Sequence, residues 1–118
     1  MTSEEKDFNM NDMKPILVKL SGSEKYTRLL AGAPSTAGMR SGYVTLLPGE
    51  AVGEHRTDAR EEAIIVIEGR ASVYRGKELL FAAEEESLVY IPPETDHDIK
   101  NEGETKLRYV YIVTPVRQ

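Results

Sequence analysis

Short segments of alternating apolar and polar residues, separated by Gly- and Pro-containing turns, fill the chain from Arg40 to the Thr114-Pro115 pair. The segments recur roughly every 8–12 residues, a spacing typical of antiparallel sandwiches and small barrels. None has the 3.6-residue apolar period, at sufficient length, that an amphipathic helix needs. The pattern therefore predicts an all-β domain, either a sandwich or a small barrel.

The turn signals divide the chain into individual strand predictions. Residues 1–14 are polar and unpatterned, and they are predicted to be a flexible lead-in to a single domain over residues 15–118. Residues 32–38 are rich in Gly, Ala, Pro, Ser and Thr and are predicted to form a loop. The predicted strands are residues 16–20, 26–30, 42–47, 54–58, 62–68, 70–74, 78–81, 87–91, 97–101 and 106–113.

Composition narrows the functional classes. The net charge is −5, from 15 basic and 20 acidic side chains, and Lys and Arg do not cluster, so no nucleic-acid partner is expected. The apolar runs are far too short to span a membrane, so no membrane partner is expected either. The N-terminus does not have the pattern of a signal peptide, and there is no Cys. A cytoplasmic location is the default expectation.

The chain has only two histidines, His55 and His97, and each follows a turn. Glu62 lies seven residues after His55, at the head of an apolar run. Histidine is the commonest side-chain metal ligand, and two imidazoles with one carboxylate on a rigid sheet form a recognisable metal-binding set. By strand alternation His55 shares a face with Thr57, Glu62 with Ile64 and Val66, and His97 with Ile99 and Asn101.

The spacing around these residues resembles the two sequence motifs of the cupin superfamily. Gly49 is followed by five residues and then His55, four residues separate Thr57 from Glu62, and six more precede Gly69. In the second stretch two residues separate Glu94 from His97, and three separate His97 from Asn101. The resemblance covers roughly the C-terminal two-thirds of the chain and implies a double-stranded β-helix, or jelly-roll barrel, of six to eight strands.

This sequence departs from the cupin motifs at three positions. Glu86 and Glu94 stand where the second motif has Gly, which concerns turn geometry. Thr57 stands where the first motif has its second histidine, and metal-binding cupins use that histidine as a ligand. The resemblance therefore implies a divalent metal bound by His55, Glu62 and His97 alone. Such a set suits Fe, Zn, Mn or Ni and leaves coordination positions open.

Other side chains are candidates for the surrounding pocket. Thr57, Asn101 and Tyr43 are the candidate pocket residues. Tyr43, Arg40 and Arg108 are also placed to reach the pocket mouth and bind an anionic substrate, although a solvated or interface role is the more ordinary one for each. Tyr109 and Tyr111 are expected to pack in the core or in a dimer interface.

Three functions fit these observations. The first is a metal-dependent enzyme acting on a small molecule of sugar-phosphate or carboxylate type, and the second is a non-catalytic module that binds or senses a small ligand. The third is a structural remnant in which Thr57 marks a lost site. A homodimer is expected, because small cupins pair through N-terminal strands and residues 16–20 have no evident partner later in the chain.

Overall fold

In a computed structural model, which describes residues 13–117, nine strands form two antiparallel sheets. The described part of the chain contains no helix, and so none that is long and apolar enough to cross a membrane. The strands are β1 (Tyr26–Ala31), β2 (Arg40–Leu46), β3 (His55–Arg56), β4 (Arg60–Glu68), β5 (Ala71–Arg75), β6 (Glu78–Ala83), β7 (Leu88–Ile91), β8 (Asp96–Lys100) and β9 (Leu107–Pro115).

The sheets have five and four strands. The larger has the order β1-β2-β9-β4-β7 and the smaller the order β3-β8-β5-β6. The chain passes repeatedly from one sheet to the other, as a double-stranded β-helix requires, so the all-β and jelly-roll predictions are confirmed. The count of nine exceeds the expected six to eight, because β1 extends the larger sheet by pairing with β2.

The hydrophobic core lies between the sheets and comes from alternating positions. On β4, Glu62, Ile64 and Val66 are all buried, which confirms the predicted shared face. The other buried apolar residues of the core come from both sheets: Val44, Leu46, Ala71, Val73, Ala83, Val89, Ile91, Ile99, Leu107 and Tyr109.

The predicted strand over residues 16–20 is wrong for the isolated chain. These residues have no strand assignment, and Leu17 is 98% exposed. A short apolar segment becomes a strand only where another strand offers hydrogen bonds, and within the described residues none does so here. The predicted lead-in, residues 1–14, lies outside the described residues except for its last two, and the division into lead-in and domain stays a prediction.

Candidate metal centre

The two histidines meet at the junction of β3 and β8. These short strands pair antiparallel with His55 directly opposite His97, and the imidazole centroids are 4.1 Å apart. Directly opposed residues of an antiparallel pair project from the same face, so a two-residue strand suffices to bring both rings together. His97 is fully buried, whereas His55 lies on the solvent side of the pair.

Glu62 approaches from the other sheet. One of its carboxylate oxygens lies 2.9 Å from Nε2 of His97, and only 7% of the residue is exposed. Each of His55, Glu62 and His97 offers one ligand atom, and these atoms lie within 4.8 Å of one another. The structure thus brings together the three side chains that the sequence singled out.

Backbone carbonyls orient both imidazoles. Nδ1 of His55 lies 2.9 Å from the carbonyl oxygen of Gly53, and Nδ1 of His97 lies 3.3 Å from that of Thr95. A carbonyl oxygen can only accept a hydrogen bond, so the proton of neutral His55 belongs on Nδ1 and its Nε2 is free to bind a metal. In His97 both ring nitrogens face acceptors, because Nε2 lies 2.9 Å from the Glu62 carboxylate. A metal at this site would therefore replace the proton on Nε2 of His97, while Nδ1 keeps its bond to the backbone.

The charges within the cluster act on each other. Burial by itself disfavours the imidazolium form of His97, but the hydrogen bond from Nε2 to Glu62 and the negative charge of Glu62 outweigh burial and raise the pKa of His97 above its ordinary value. Burial also raises the pKa of the Tyr109 hydroxyl far above its usual range, and the charge of Glu62 adds to that effect. Tyr109 is therefore a neutral hydrogen-bonding group beside the cluster.

The cluster lies at one side of an open cavity of about 400 Å³ between the sheets. Apolar and aromatic side chains form part of its wall, and polar and charged side chains form the rest. The lining residues are Tyr26, Arg40, Val44, Val52, Gly53, Glu54, His55, Arg56, Thr57, Arg60, Glu62, Ile99, Tyr109, Tyr111 and Val113.

Thr57 lines the cavity, but its hydroxyl is held by backbone groups. It donates to the carbonyl of Pro92 at 2.8 Å and accepts from the backbone N–H of Thr95 at 3.0 Å. These bonds anchor the residue to the turn before β8.

Two predicted pocket residues lie elsewhere. Asn101 is buried away from the cavity, where Nδ2 donates to the carbonyls of Leu46 and Thr105 and Oδ1 accepts from the N–H of Gly103. Tyr43 follows the inward Gly42 on β2, so alternation places it on the outer face. Neither residue is among those that line the cavity: Asn101 holds a turn, and Tyr43 is buried, with only 5% of its surface exposed, on the other face of β2.

Of the two arginines expected to reach the pocket, one lines the cavity and the other does not. Arg40 lines the cavity, whereas Arg108 lies outside it with Nε 3.7 Å from Glu68. The sequence reasoning missed Arg60, which also lines the cavity. Its position two residues before Glu62 on the same strand was the available signal, because such residues share a face. Tyr109 is core, as expected, and the half-buried Tyr111 packs against that core.

The two sheets form a small β-barrel, and its cavity contains the His55, Glu62 and His97 cluster. The sequence model for the Cupin domain family matches residues 42–113, which is more than half of the chain. The chain belongs to the cupin family.

Two curated proteins are similar in sequence. Polyketide synthase CurC from Streptomyces cyaneus is 33% identical over 86 residues, which are 70% of this chain and 55% of CurC. Mannose-1-phosphate guanylyltransferase RfbM from Salmonella typhimurium is 36% identical over 69 residues, which are 58% of this chain and 14% of RfbM. The chain thus spans about half the length of CurC and a small part of RfbM.

Solved structures support the fold. The Bacillus halodurans protein BH2720 superposes with a TM-score of 0.73 at 21% identity, over 89% of this chain and 84% of that one. An RmlC-like cupin family protein from Methanocaldococcus jannaschii, described as having a double-stranded β-helix fold, gives a TM-score of 0.68 at 18% identity, over 87% of this chain and 93% of that one. At these identities the likeness concerns the fold alone.

Proposed function

We propose that this cupin binds one divalent metal ion through Nε2 of His55, Nε2 of His97 and the carboxylate of Glu62, and that it acts on a small organic molecule in the adjoining cavity. The observation that carries the proposal is the convergence of three ligand atoms within 4.8 Å of one another on two different sheets. The carbonyl contacts at both Nδ1 atoms support it, because they orient each ring with Nε2 toward the cluster, where a metal would replace the proton that His97 shares with Glu62.

The donor set fits a metal ion of borderline character. Two imidazoles and a carboxylate suit Fe²⁺, Zn²⁺, Mn²⁺ and Ni²⁺ alike, and geometry rather than affinity selects among them. Three protein ligands leave coordination positions for water or a ligand. Such an ion supplies Lewis acidity, which polarises a bound carbonyl or activates water.

The side chains around that ion would form the binding cavity for the organic molecule. The buried Tyr109 presents a neutral phenol, and Val52, Ile99 and Val113 give the wall an apolar surface. The relatives CurC, a polyketide synthase, and RfbM, a guanylyltransferase, are named for activities on small organic molecules. That parallel supports a small-molecule substrate, and the reaction itself is a matter for direct assay.

Two adjacent carboxylates give a matched test of the site. Glu62 faces the cluster, whereas Glu61 accepts a hydrogen bond at 2.7 Å from the hydroxyl of Tyr90 on the other face. Elemental analysis and titration with Zn²⁺, Mn²⁺ and Ni²⁺ should show one metal per chain in the wild type and in Glu61→Gln. Stoichiometric binding should be lost in Glu62→Gln and in His97→Ala. Unchanged metal binding in both of the latter variants would refute the site.

Turnover distinguishes an enzyme from a binding module. The metal-loaded wild type and Glu62→Gln should be incubated with a panel of sugar phosphates and organic acids and the products followed by mass spectrometry. Metal-dependent product formation that Glu62→Gln lacks would support an enzyme. Saturable binding of a panel compound without turnover would favour the non-catalytic module instead.

A further inference from the structure

Arg40 lies in the same row of the five-stranded sheet as the candidate metal ligand Glu62. Arg40 on β2 is opposite Val113 on β9, and Val113 is opposite Glu62 on β4. Directly opposed residues project from one face, so these three side chains all point to the cavity, which each of them lines. Two strand spacings separate the Arg40 and Glu62 backbones by about 10 Å, which is within reach of a small ligand.

Arg60 lies on the same face in the next row. It is two residues before Glu62 on β4, it is opposite Pro115 of β9, and it lines the cavity. Arg40 and Arg60 therefore stand on either side of β9 at the cavity mouth. Their long side chains extend from two fixed strands toward the same opening.

These two arginines lack protein counterions. No Asp or Glu in residues 13–117 forms an ion pair with Arg40 or Arg60. The third arginine of the lining, Arg56, differs because it contacts Asp58, Glu94 and Asp96. A chain with a net charge of −5 thus keeps two uncompensated guanidinium groups in the lining of the cavity that holds the His55, Glu62 and His97 cluster.

The side chain of Arg40 has a defined path. A Cβ atom added to Gly32 would lie 2.9 Å from Cγ of Arg40, so the arginine stem passes directly over the glycine backbone. Contact along the stem restricts the side chain, and the residue as a whole remains exposed. The Gly-rich loop after β1 therefore helps to position this arginine.

The wall next to the arginines is aromatic. Tyr111 lies opposite Gly42 on β2, and a Cβ atom at Gly42 would lie only 2.6 Å from the Tyr111 ring. The ring therefore occupies the space that the glycine leaves open. Tyr109 continues the wall two residues along β9, deeper in the core. A ligand in this cavity contacts phenol rings at one side and cations at the mouth.

We infer that the ligand of this site is an organic acid with an apolar or aromatic body. Its carboxylate pairs with Arg40 and Arg60, and its body lies against Tyr109 and Tyr111 beside the His55, Glu62 and His97 cluster. The inference rests on the proposed function, because it takes that cluster as the metal site at the other end of the ligand. The planar guanidinium fork matches a carboxylate in two parallel hydrogen bonds.

Benzoate and its uncharged analogue benzamide test this assignment. Calorimetric titrations of the full chain with each probe, and with inorganic phosphate, should be run on the wild type, Arg40→Gln, Arg60→Gln and Arg75→Gln. Arg75 is the matched control, because it pairs with Glu78 at the β5–β6 turn and does not line the cavity. The metal content of every variant is measured in parallel.

Benzoate should bind the wild type and Arg75→Gln about tenfold or more tightly than it binds Arg40→Gln or Arg60→Gln, as expected for loss of a charge-assisted hydrogen bond. Benzamide should bind weakly and equally to all four proteins. Equal benzoate binding by variants that retain metal would overturn the inference alone, as would failure of benzoate to bind at millimolar concentration. Tighter binding of phosphate than of benzoate would overturn the carboxylate assignment. A wild type without metal would instead count against the proposed function.

Discussion

The hydroxyl of Thr57 donates a hydrogen bond to the carbonyl oxygen of Pro92 across 2.8 Å, and this bond ties β3 to the turn that precedes β8. The same oxygen accepts from the N–H of Thr95, and the Thr57 N–H donates to the Thr95 carbonyl. Since His97 follows two residues after Thr95, Thr57 helps to position a candidate metal ligand through its bonds to the backbone. The position that holds a histidine in the cupin motif has a structural function here.

Removing this hydroxyl should destabilise the protein. In Thr57→Val the side-chain shape is kept, but the Pro92 carbonyl and the Thr95 N–H lose a partner in a part-buried setting. A typical hydrogen bond contributes about 0.5–1.5 kcal/mol net, so the free energy of unfolding should fall by that amount. Urea denaturation measures it, and Thr57→Ser, which keeps the hydroxyl, is the control. Equal stability of the valine and serine variants would show that these bonds contribute nothing.

Thr57→His should change metal binding. Residue 57 follows β3 directly and lines the cavity, so the imidazole should reach the cluster as a fourth ligand. Metal affinity should then rise while one open coordination position is lost. Parallel titrations of both proteins with Zn²⁺, Mn²⁺ and Ni²⁺ measure the effect. If the wild type binds metal and the variant shows no gain, residue 57 is not directed at the cluster. If only the variant binds metal, Thr57 marks a lost site.

The raised pKa of His97 predicts a pH dependence of the metal-free protein. Below the unfolded-state pKa of about 6.5 the imidazolium is present in both states, and its interaction with Glu62 stabilises the folded state in full. As the pH rises through the higher pKa of folded His97, that stabilisation is lost. The free energy of unfolding of chelator-treated protein should therefore decrease over that interval.

Glu62→Gln provides the control for this pH effect. Removing the carboxylate charge should lower the pKa of His97, which the pH titration of its imidazole resonances by NMR reports, and should flatten the stability profile. An unchanged His97 titration in that variant would mean that Glu62 is not its partner in solution.

Local pattern was enough to predict most of the fold. Turn residues and period-two alternation located the nine strands within a few residues, because both patterns depend only on residues that are close together in the sequence. Residues 16–20 are also a short apolar run of the kind that forms strands, and they are not a strand in the single chain. A local pattern indicates that a segment can form a strand, whereas strand formation depends on a partner that local sequence does not specify.

Sequence spacing likewise predicted some residues of the candidate site and not others. Motif spacing selected His55, Glu62 and His97, and the fold brings them together. It also selected Asn101, whose amide is used by the turn that follows β8. A side chain's distant hydrogen-bond partners cannot be found from spacing. Arg60 was within reach of parity reasoning from Glu62, which shows that alternation should be followed outward from every candidate ligand.

Glu86 adopts a backbone conformation that favours glycine, and the cupin motif has glycine there. Its φ is +65°, a region that is strained for L residues by about 1–2 kcal/mol. Glycine relieves this strain, but it also gives the unfolded chain more conformational freedom, which lowers the free energy of unfolding by about 0.4–1 kcal/mol. Glu86→Gly should therefore raise the free energy of unfolding by about 0.5 kcal/mol.

The control for that substitution lies two residues earlier. Glu84 does not have a positive φ, so Glu84→Gly should lower stability because only the entropic loss remains. Both are measured by chemical denaturation. Glu94, at φ +55°, is a less clean test, since its carboxylate contacts Arg56. A loss of stability in Glu86→Gly as large as that in Glu84→Gly would argue against strain at position 86.

The homodimer remains a prediction, and residues 16–20 now give it a specific test. Leu17 is 98% exposed, Ile16 52% and Leu20 45%, in a segment without a strand partner among residues 13–117. Burying one such side chain contributes about 1.5–3 kcal/mol, which favours covering the segment with a second copy of the chain.

Sedimentation at micromolar concentration should show a dimer for the wild type. Leu17→Asp should shift it to monomer, because a carboxylate in an apolar interface is strongly unfavourable. Lys19→Asp adds the same side chain at an exposed polar position of the segment and should stay dimeric. A monomeric wild type would disprove the dimer, and a dimeric Leu17→Asp would move the interface away from this segment.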